Sequence, residues 1–177
     1  MAEEHRIHLI FFRHGIAADR ETFVGNDSDR PLTAEGVAKT SKIAEKLAPL
    51  YPPSIVITSE LVRAKETADL IVEAADQVDK KARRFETSCL NPEGTWSPWV
   101  EYLSHKVLPQ VEAEDGEDSN IYLTGHEPNI SEFFARYIRA AEDSITFKKA
   151  GVGIIRLESA DKGRMLALLT PKLVLNL

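Results

Sequence analysis

Two histidines and two arginines occupy equivalent places in this 177-residue chain. Arg13-His14-Gly15 closes an apolar run from Ile7 to Phe12, and Gly125-His126 closes another from Ile121 to Thr124. Arg63 lies in the first turn after a third run, Ile55 to Thr58. A guanidinium fork matches phosphate oxygens bidentately. Imidazole titrates near neutrality and serves as nucleophile, acid or base. With the bare backbone of Gly15 beside them, these residue types suit an oxyanion, and phosphate fits best. Taken singly, each is ordinary. A given tripeptide such as Arg-His-Gly arises by chance in roughly one chain in a hundred of this size. A strand-end histidine is more often a plain hydrogen-bonder, Arg63 reads equally as a solvated helix arginine, and "TGHEP" as a turn and cap. Their joint occurrence at the ends of separate strands carries the weight.

The elements that must position them alternate between strand and helix signals, which predicts an α/β domain with a largely parallel sheet. Ligands bind such sheets at the carboxyl edge of the strands, where adjacent helix N-termini favour anions. Ile7 to Phe12 is long enough for a buried strand and too short for a helix. After a polar loop, Thr33 looks like an N-cap with Glu35 in the positive first turn. Val37, Ala44 and Leu47 recur at near-helical spacing on that helix, and Pro52-Pro53 ends it. Ile55 to Thr58 is the second strand and Ser59 the expected cap of the next helix. There Leu61, Ala64, Ala68, Ile71 and Ala75 form one apolar stripe. A weaker strand falls near Ala82 to Phe85. "NPEGTWSP" is a loop, with Ser97-Pro98 opening a helix through about Val111. A helix from about Asn129 to Ile138 follows "GHEPN". Two last strands, about Val152 to Leu157 and Met165 to Leu169, flank a turn at Asp161 to Gly163. No repeat or linker interrupts the chain, so residues 1–177 read as a single domain.

Composition narrows the class. The chain is 43% hydrophobic and 28% charged, ordinary for a globular domain with core enough to fold without staples. The single cysteine, Cys89, excludes an internal disulfide framework and fits a reducing compartment. No run approaches the ~18 apolar residues of a membrane span, and the charged start with its short apolar run does not suit a secretory signal. A cytoplasmic protein with no membrane association is expected. The net charge of −6 argues against a nucleic-acid partner, though a cleft can still focus a positive field. The acidic run "EAEDGEDS", residues 112–119, reads as a solvated connector.

"FFRHGIA", "DSDRPLTAEG", "ITSELVRAKETADLI" and "YLTGHEPNI", in this order, resemble the histidine phosphatase superfamily, the phosphoglycerate-mutase-like fold. The "D-x-x-R-P-L-T-x-x-G" element is similar to that of the short SixA-type phosphohistidine phosphatases, and "LTPKLV" resembles their C-terminal segment. The likeness runs from about residue 7 to residue 174. It implies a three-layer sandwich with a mostly parallel central sheet flanked by helices. It also implies a metal-independent phosphatase with no cofactor, in which His14 is the nucleophile and is transiently phosphorylated. Arg13 and Arg63 match the phosphate-binding arginines. His126 matches the second histidine, which stabilises charge on the transferring group. Gly15 matches the third motif residue, where the backbone comes close. Arg30 matches the arginine of the RPLT element, either as a substrate contact or as a loop arginine paired with Asp27 or Asp29. Asp27 aligns without an assigned role.

The general acid separates substrate classes. An alkyl phosphate expels an alkoxide and calls for a positioned carboxylic acid. A phosphohistidine releases imidazole, whose conjugate acid has a pKa of about 6.5, so the acid is nearly dispensable. Glu93 in "CLNPEG" is the candidate acid, although a Pro-Glu-Gly turn is commonly just exposed; Glu127, beside His126, is a second. Phosphohistidine on a partner protein, such as a histidine-containing phosphotransfer domain, is therefore the expected substrate in a signal-transduction setting. The rivals are a phosphatase or mutase for small phosphorylated metabolites, and a noncatalytic phosphate- or phosphoprotein-binding module.

Overall fold

The computed structural model describes residues 5–111 and 118–177. Ile7–Arg13 (β1) is buried along almost its whole length rather than on alternate residues, as a strand covered on both faces must be. The same holds for Pro53–Thr58 (β2) and Ser119–Gly125 (β4). Arg83–Glu86 (β3), Val152–Ser159 (β5) and Lys162–Leu169 (β6) complete one sheet. Its order is β3-β2-β4-β1-β5-β6. β3, β2, β4 and β1 run parallel, and β5 joins β1 antiparallel, so the sheet is mostly parallel.

Helices cover both faces. Ala34–Leu47 (α1), Val62–Asp76 (α2) and Pro171–Leu175 (α5) take one side, where Ile43, Leu47, Ala68, Ile71 and Val174 pack on Ile10, Phe12, Val56 and Tyr122. Trp96–Tyr102 (α3) and Asn129–Tyr137 (α4) take the other, where Trp99, Phe133 and Phe134 pack on Leu9, Phe11, Ile57 and Leu123. Alternate strand residues thus feed alternate layers. Each fully buried large side chain of these layers contributes roughly 1.5–3 kcal/mol. The three-layer α/β arrangement is the expected one.

Several local expectations change. The buried stripe of α1 is Gly36, Thr40, Ile43, Ala44 and Leu47, while Val37 faces outward at 40% exposure. Ser59 does not cap α2: the helix starts at Val62 after Leu61, and the Ser59 hydroxyl is engaged elsewhere. The helix placed at Ser97 begins at Trp96 and is α-helical only to Tyr102. A π-helical turn, Leu103–Val107, and a 3-10 turn, Leu108–Gln110, follow. Pro109 accounts for this, since its ring cannot sit over the carbonyl four residues back in α geometry. β3 is shifted by one residue, and β5 and β6 extend until only residues 160 and 161 turn between them. The acidic run lies outside the described residues up to 117; Asp118 pairs with Arg6 at 3.2 Å and Ser119 opens β4.

Register is what the fold supplies to function. Arg13 of β1 lies opposite Gly125 of β4, and Thr58 of β2 opposite Thr124. Beyond the ladders, His14 N–H donates to the Gly125 carbonyl at 3.1 Å and Ser59 N–H to the Thr124 carbonyl at 3.0 Å. Three strand ends are therefore level.

Candidate active site

Because β1 and β4 end in register, His14 and His126 emerge side by side, with ring centroids 5.0 Å apart at an angle of 49°. His14 is 7% exposed, and its Nδ1 lies 2.8 Å from the Gly15 carbonyl. A carbonyl only accepts, so Nδ1 carries the proton and Nε2 presents a bare lone pair. The turn is tied to α2: Gly15 N–H donates to Thr67 Oγ1 at 3.1 Å, and that hydroxyl donates to the Arg63 carbonyl at 2.8 Å. A Cβ on residue 15 would overlap Thr40 Oγ1 of α1. The glycine is thus required by helix packing; the structure shows the close approach to α1.

His126 is 2% exposed and its Nε2 lies 2.7 Å from Ser59 Oγ. That hydroxyl accepts the Leu61 N–H at 3.1 Å, which leaves its own proton free to go to His126 Nε2. In that tautomer Nδ1 is a donor, and Nδ1 is buried without a protein partner. Sequence reasoning missed Ser59 as part of the site. Its place one residue past the apolar run of β2 is shared by any helix cap, and only the register of β2 on β4 sets it level with the histidine-bearing strand ends.

The arginines divide by partner. Arg13 Nη1 donates to the Phe147 carbonyl at 2.5 Å, and Arg63 donates from Nη1 to the Asp27 carbonyl at 2.7 Å and from Nη2 to Asp27 Oδ2 at 3.0 Å. The Nε atoms of both are buried and unpartnered. Arg30 binds Asp27 Oδ1 at 2.9 Å and the Ala18 carbonyl at 2.6 Å. Of its two sequence readings, the pairing with Asp27 is the one present in the geometry. Asp27 is the hub that holds Arg63 and Arg30 together, with exposed Arg20 at 3.3 Å from it.

Electrostatics follow from burial. Desolvation first, then the charges of Arg63, Arg13 and Lys149, outweigh the Gly15 hydrogen bond and lower the His14 pKa to about 3. For His126, burial, then the charges of His14 and Arg63, lower it to about 2. Both imidazoles are neutral at physiological pH. Burial opposes ionisation of Asp27, but the Arg30 hydrogen bond and the Arg63 and Arg30 charges prevail and hold its carboxyl below the usual value. Burial lowers the Arg13 pKa against the opposing charge of Glu127.

The two candidate acids fare differently. Glu93 is exposed in its turn, and among the described residues it makes no hydrogen bond or ion pair. The turn itself is fixed near the site, because Asn91 and Glu60 exchange hydrogen bonds and Asn129 Nδ2 donates to the Gly94 carbonyl at 2.6 Å. Glu127 Oε1 is occupied by Ser131 Oγ at 2.6 Å and Phe147 N–H at 2.7 Å. Among the described residues no group of three or more His, Cys, Asp or Glu is placed to hold a metal ion, and no helix is long and apolar enough to cross a membrane.

Paired neutral imidazoles, flanking guanidinium groups and buried, unpartnered nitrogens make a cradle for a tetrahedral anion. The family model described as Histidine phosphatase superfamily (branch 1) matches residues 9–153 and so spans both histidines and both arginines. The chain belongs to the histidine phosphatase superfamily. An uncharacterized protein of Picosynechococcus sp. is 31% identical over 175 residues, covering 94% of this chain and 98% of that one. Among solved structures, the protein histidine phosphatase SixA complexed with tungstate superposes with a TM-score of 0.77 at 19% identity, over 93% of this chain and 97% of that chain. A mycobacterial glucosyl-3-phosphoglycerate phosphatase complexed with VO3 gives 0.69 at 16% identity, over 92% and 99%. The fold is SixA-like. Membership of the superfamily supports a hydrolase acting on phosphorylated substrates.

Proposed function

We propose that the protein is a phosphatase working through a phosphohistidine at His14, with phosphohistidine on a partner protein as its substrate. The observation that carries this is the His14 ring itself: its Nδ1 proton is committed to the Gly15 carbonyl, leaving Nε2 bare, neutral and beside two arginines. Nε2 attacks phosphorus as the P–N bond to the substrate imidazole breaks, and the departing ring takes its proton from solvent. Water then attacks the phosphoryl group on His14, releasing phosphate and restoring the ring. Arg13, Arg63 and the Nδ1–H of His126 stabilise charge on the transferring oxygens, so catalysis is positioning and electrostatics, with no metal required. A bound dianion reverses the local field and raises the pKa of both imidazoles. Arg20, 79% exposed on its side chain, and Lys149, whose charge reaches His14, add positive potential for an anionic phosphoprotein.

Glu93, exposed and without a partner among the described residues, favours phosphohistidine over alkyl esters, because an imidazole leaving group needs little acid assistance. A small-metabolite phosphatase is the second reading, favoured by the structural likeness to the glucosyl-3-phosphoglycerate phosphatase. The deciding experiment measures phosphate release from a phosphorylated histidine-containing transfer domain against a panel of alkyl phosphates, with an alkaline quench to trap phospho-His14. Rapid dephosphorylation of the domain, abolished by His14→Ala and untouched by Glu93→Gln, is expected. Faster turnover of an alkyl phosphate that collapses in Glu93→Gln would transfer the assignment to the second reading. Binding of vanadate without turnover of any substrate would make the protein a binding module.

A further inference from the structure

Glu127 has no place in the chemistry above, yet its carboxylate is committed. Oε1 accepts the Phe147 N–H at 2.7 Å and the Ser131 hydroxyl at 2.6 Å. The same N–H reaches Ser131 Oγ at 3.2 Å. The carbonyl of Phe147, one residue's span away, accepts Arg13 Nη1. Residue 147 is therefore held on its N–H side by the start of α4 and on its carbonyl side by the arginine. Its ring is 1% exposed and packs edge-on against Phe134 at 5.4 Å, which keeps the backbone from rotating freely. The segment is fastened again where Ala150 N–H meets the carbonyls of Arg13 and His14, each at 3.1 Å. Arg13 has no second hydrogen-bond acceptor among the described residues and its Nε is buried unpartnered. The direction of its fork depends on that single carbonyl.

We propose that Glu127 is a positioning residue: acting across the Phe147 backbone, from its N–H through Cα to its carbonyl, it aims the Arg13 guanidinium at the phosphoryl group. The proposal rests on the phosphoryl-binding role given to this site. It makes reach, over and above the direct charge of Glu127 on Arg13, the property that matters for aim. Glu127→Gln keeps an oxygen at the same distance to accept the Phe147 N–H, while removing the charge. Glu127→Asp keeps the charge and withdraws the oxygen by one methylene. A misplacement of about 1 Å at a transferring group costs up to a hundredfold.

The test is binding of inorganic vanadate to the full chain by calorimetry, with kcat and KM for p-nitrophenyl phosphate alongside and thermal melting to check folding. Glu127→Asp is expected to weaken vanadate roughly tenfold or more, and Glu127→Gln to stay within about threefold of the unmodified protein. In an Arg13→Ala background the Asp substitution should have no further effect, because the coupling runs entirely through that arginine. A reversed order, with Asp neutral and Gln impaired, would assign the effect to charge and overturn the proposal. So would equal losses in both, no loss in either, or an Asp penalty undiminished in the Arg13→Ala background. Absence of vanadate binding by the unmodified protein would instead bring down the phosphoryl-site assignment, before any Glu127 variant is compared.

Discussion

Keeping two imidazoles neutral and dry makes the fold sensitive to acid. Unfolded, each histidine titrates near 6.5; folded, burial and neighbouring cations move His14 to about 3 and His126 to about 2. The folded values lie below the unfolded ones, so the unfolded chain binds protons first as pH falls. The contribution is intact above about pH 6.5 and is lost progressively toward the folded values. Each site removes up to ~1.4 kcal/mol per pH unit in that window, hence at pH 5 about 2 kcal/mol per imidazole and at most ~4 for the pair relative to pH 8. That is a large share of a typical domain's ~5–15 kcal/mol. Urea unfolding followed by tryptophan fluorescence at pH 8, 7, 6 and 5 reads the slope directly. His126→Asn should remove about half of this pH dependence, and His14→Asn with His126→Asn nearly all of it. Vanadate should protect most strongly in the unmodified protein. If the double variant keeps the full slope between pH 7 and 5, the buried neutral pair is not its source.

Three further outcomes follow from single contacts. Ser59→Ala leaves His126 Nε2 without its partner, and kcat for p-nitrophenyl phosphate should fall roughly ten- to a hundredfold with little change in KM. Asp27→Ala releases Arg63 and Arg30 from their shared carboxylate, so the vanadate inhibition constant should rise about tenfold. Gly15→Ala drives a Cβ into Thr40 Oγ1 and should cost ~1–3 kcal/mol in urea unfolding, largely recovered by Thr40→Ala in the same chain.

The strands that carry the site were readable because burial on both faces leaves the central runs of β1, β2 and β4 apolar without alternation. β3 was blurred for the opposite reason: Arg-Arg-Phe-Glu at the sheet edge carries little apolar signal. On α1 the spacing of Val37 with Ala44 suggested an inward face, but Gly36 takes that direction. A Cβ there would overlap the Ile16 carbonyl, so the helix turns its smallest residue to the loop that follows β1 and its valine to water. At the site, residues at strand ends could be picked out one by one, since each interrupts an apolar run. Ser59 could not, and Asp27 could be aligned but not given its role as the carboxylate that holds Arg63. Asp27 meets Arg63 across 36 positions of sequence, and a serine between strand and helix looks like any cap. What distinguishes Ser59 is the pairing of Thr58 with Thr124, a fact of tertiary register that local pattern does not encode.

That register also bears on how such a protein can change over generations. Because side chains alternate across a pleated strand, adding or deleting one residue between Ile121 and Gly125 would throw the imidazole of His126 to the far face and dismantle the cradle at a stroke. Away from Asp27, Arg30, Asn91 and Gly94, whose contacts hold the site, the connections from 17 to 33 and from 88 to 95 obey no such parity and can lengthen, shorten or recolour their walls. New specificities are thus open to descendants of this chain through its loops, while the spacing of its inner strands is locked by geometry.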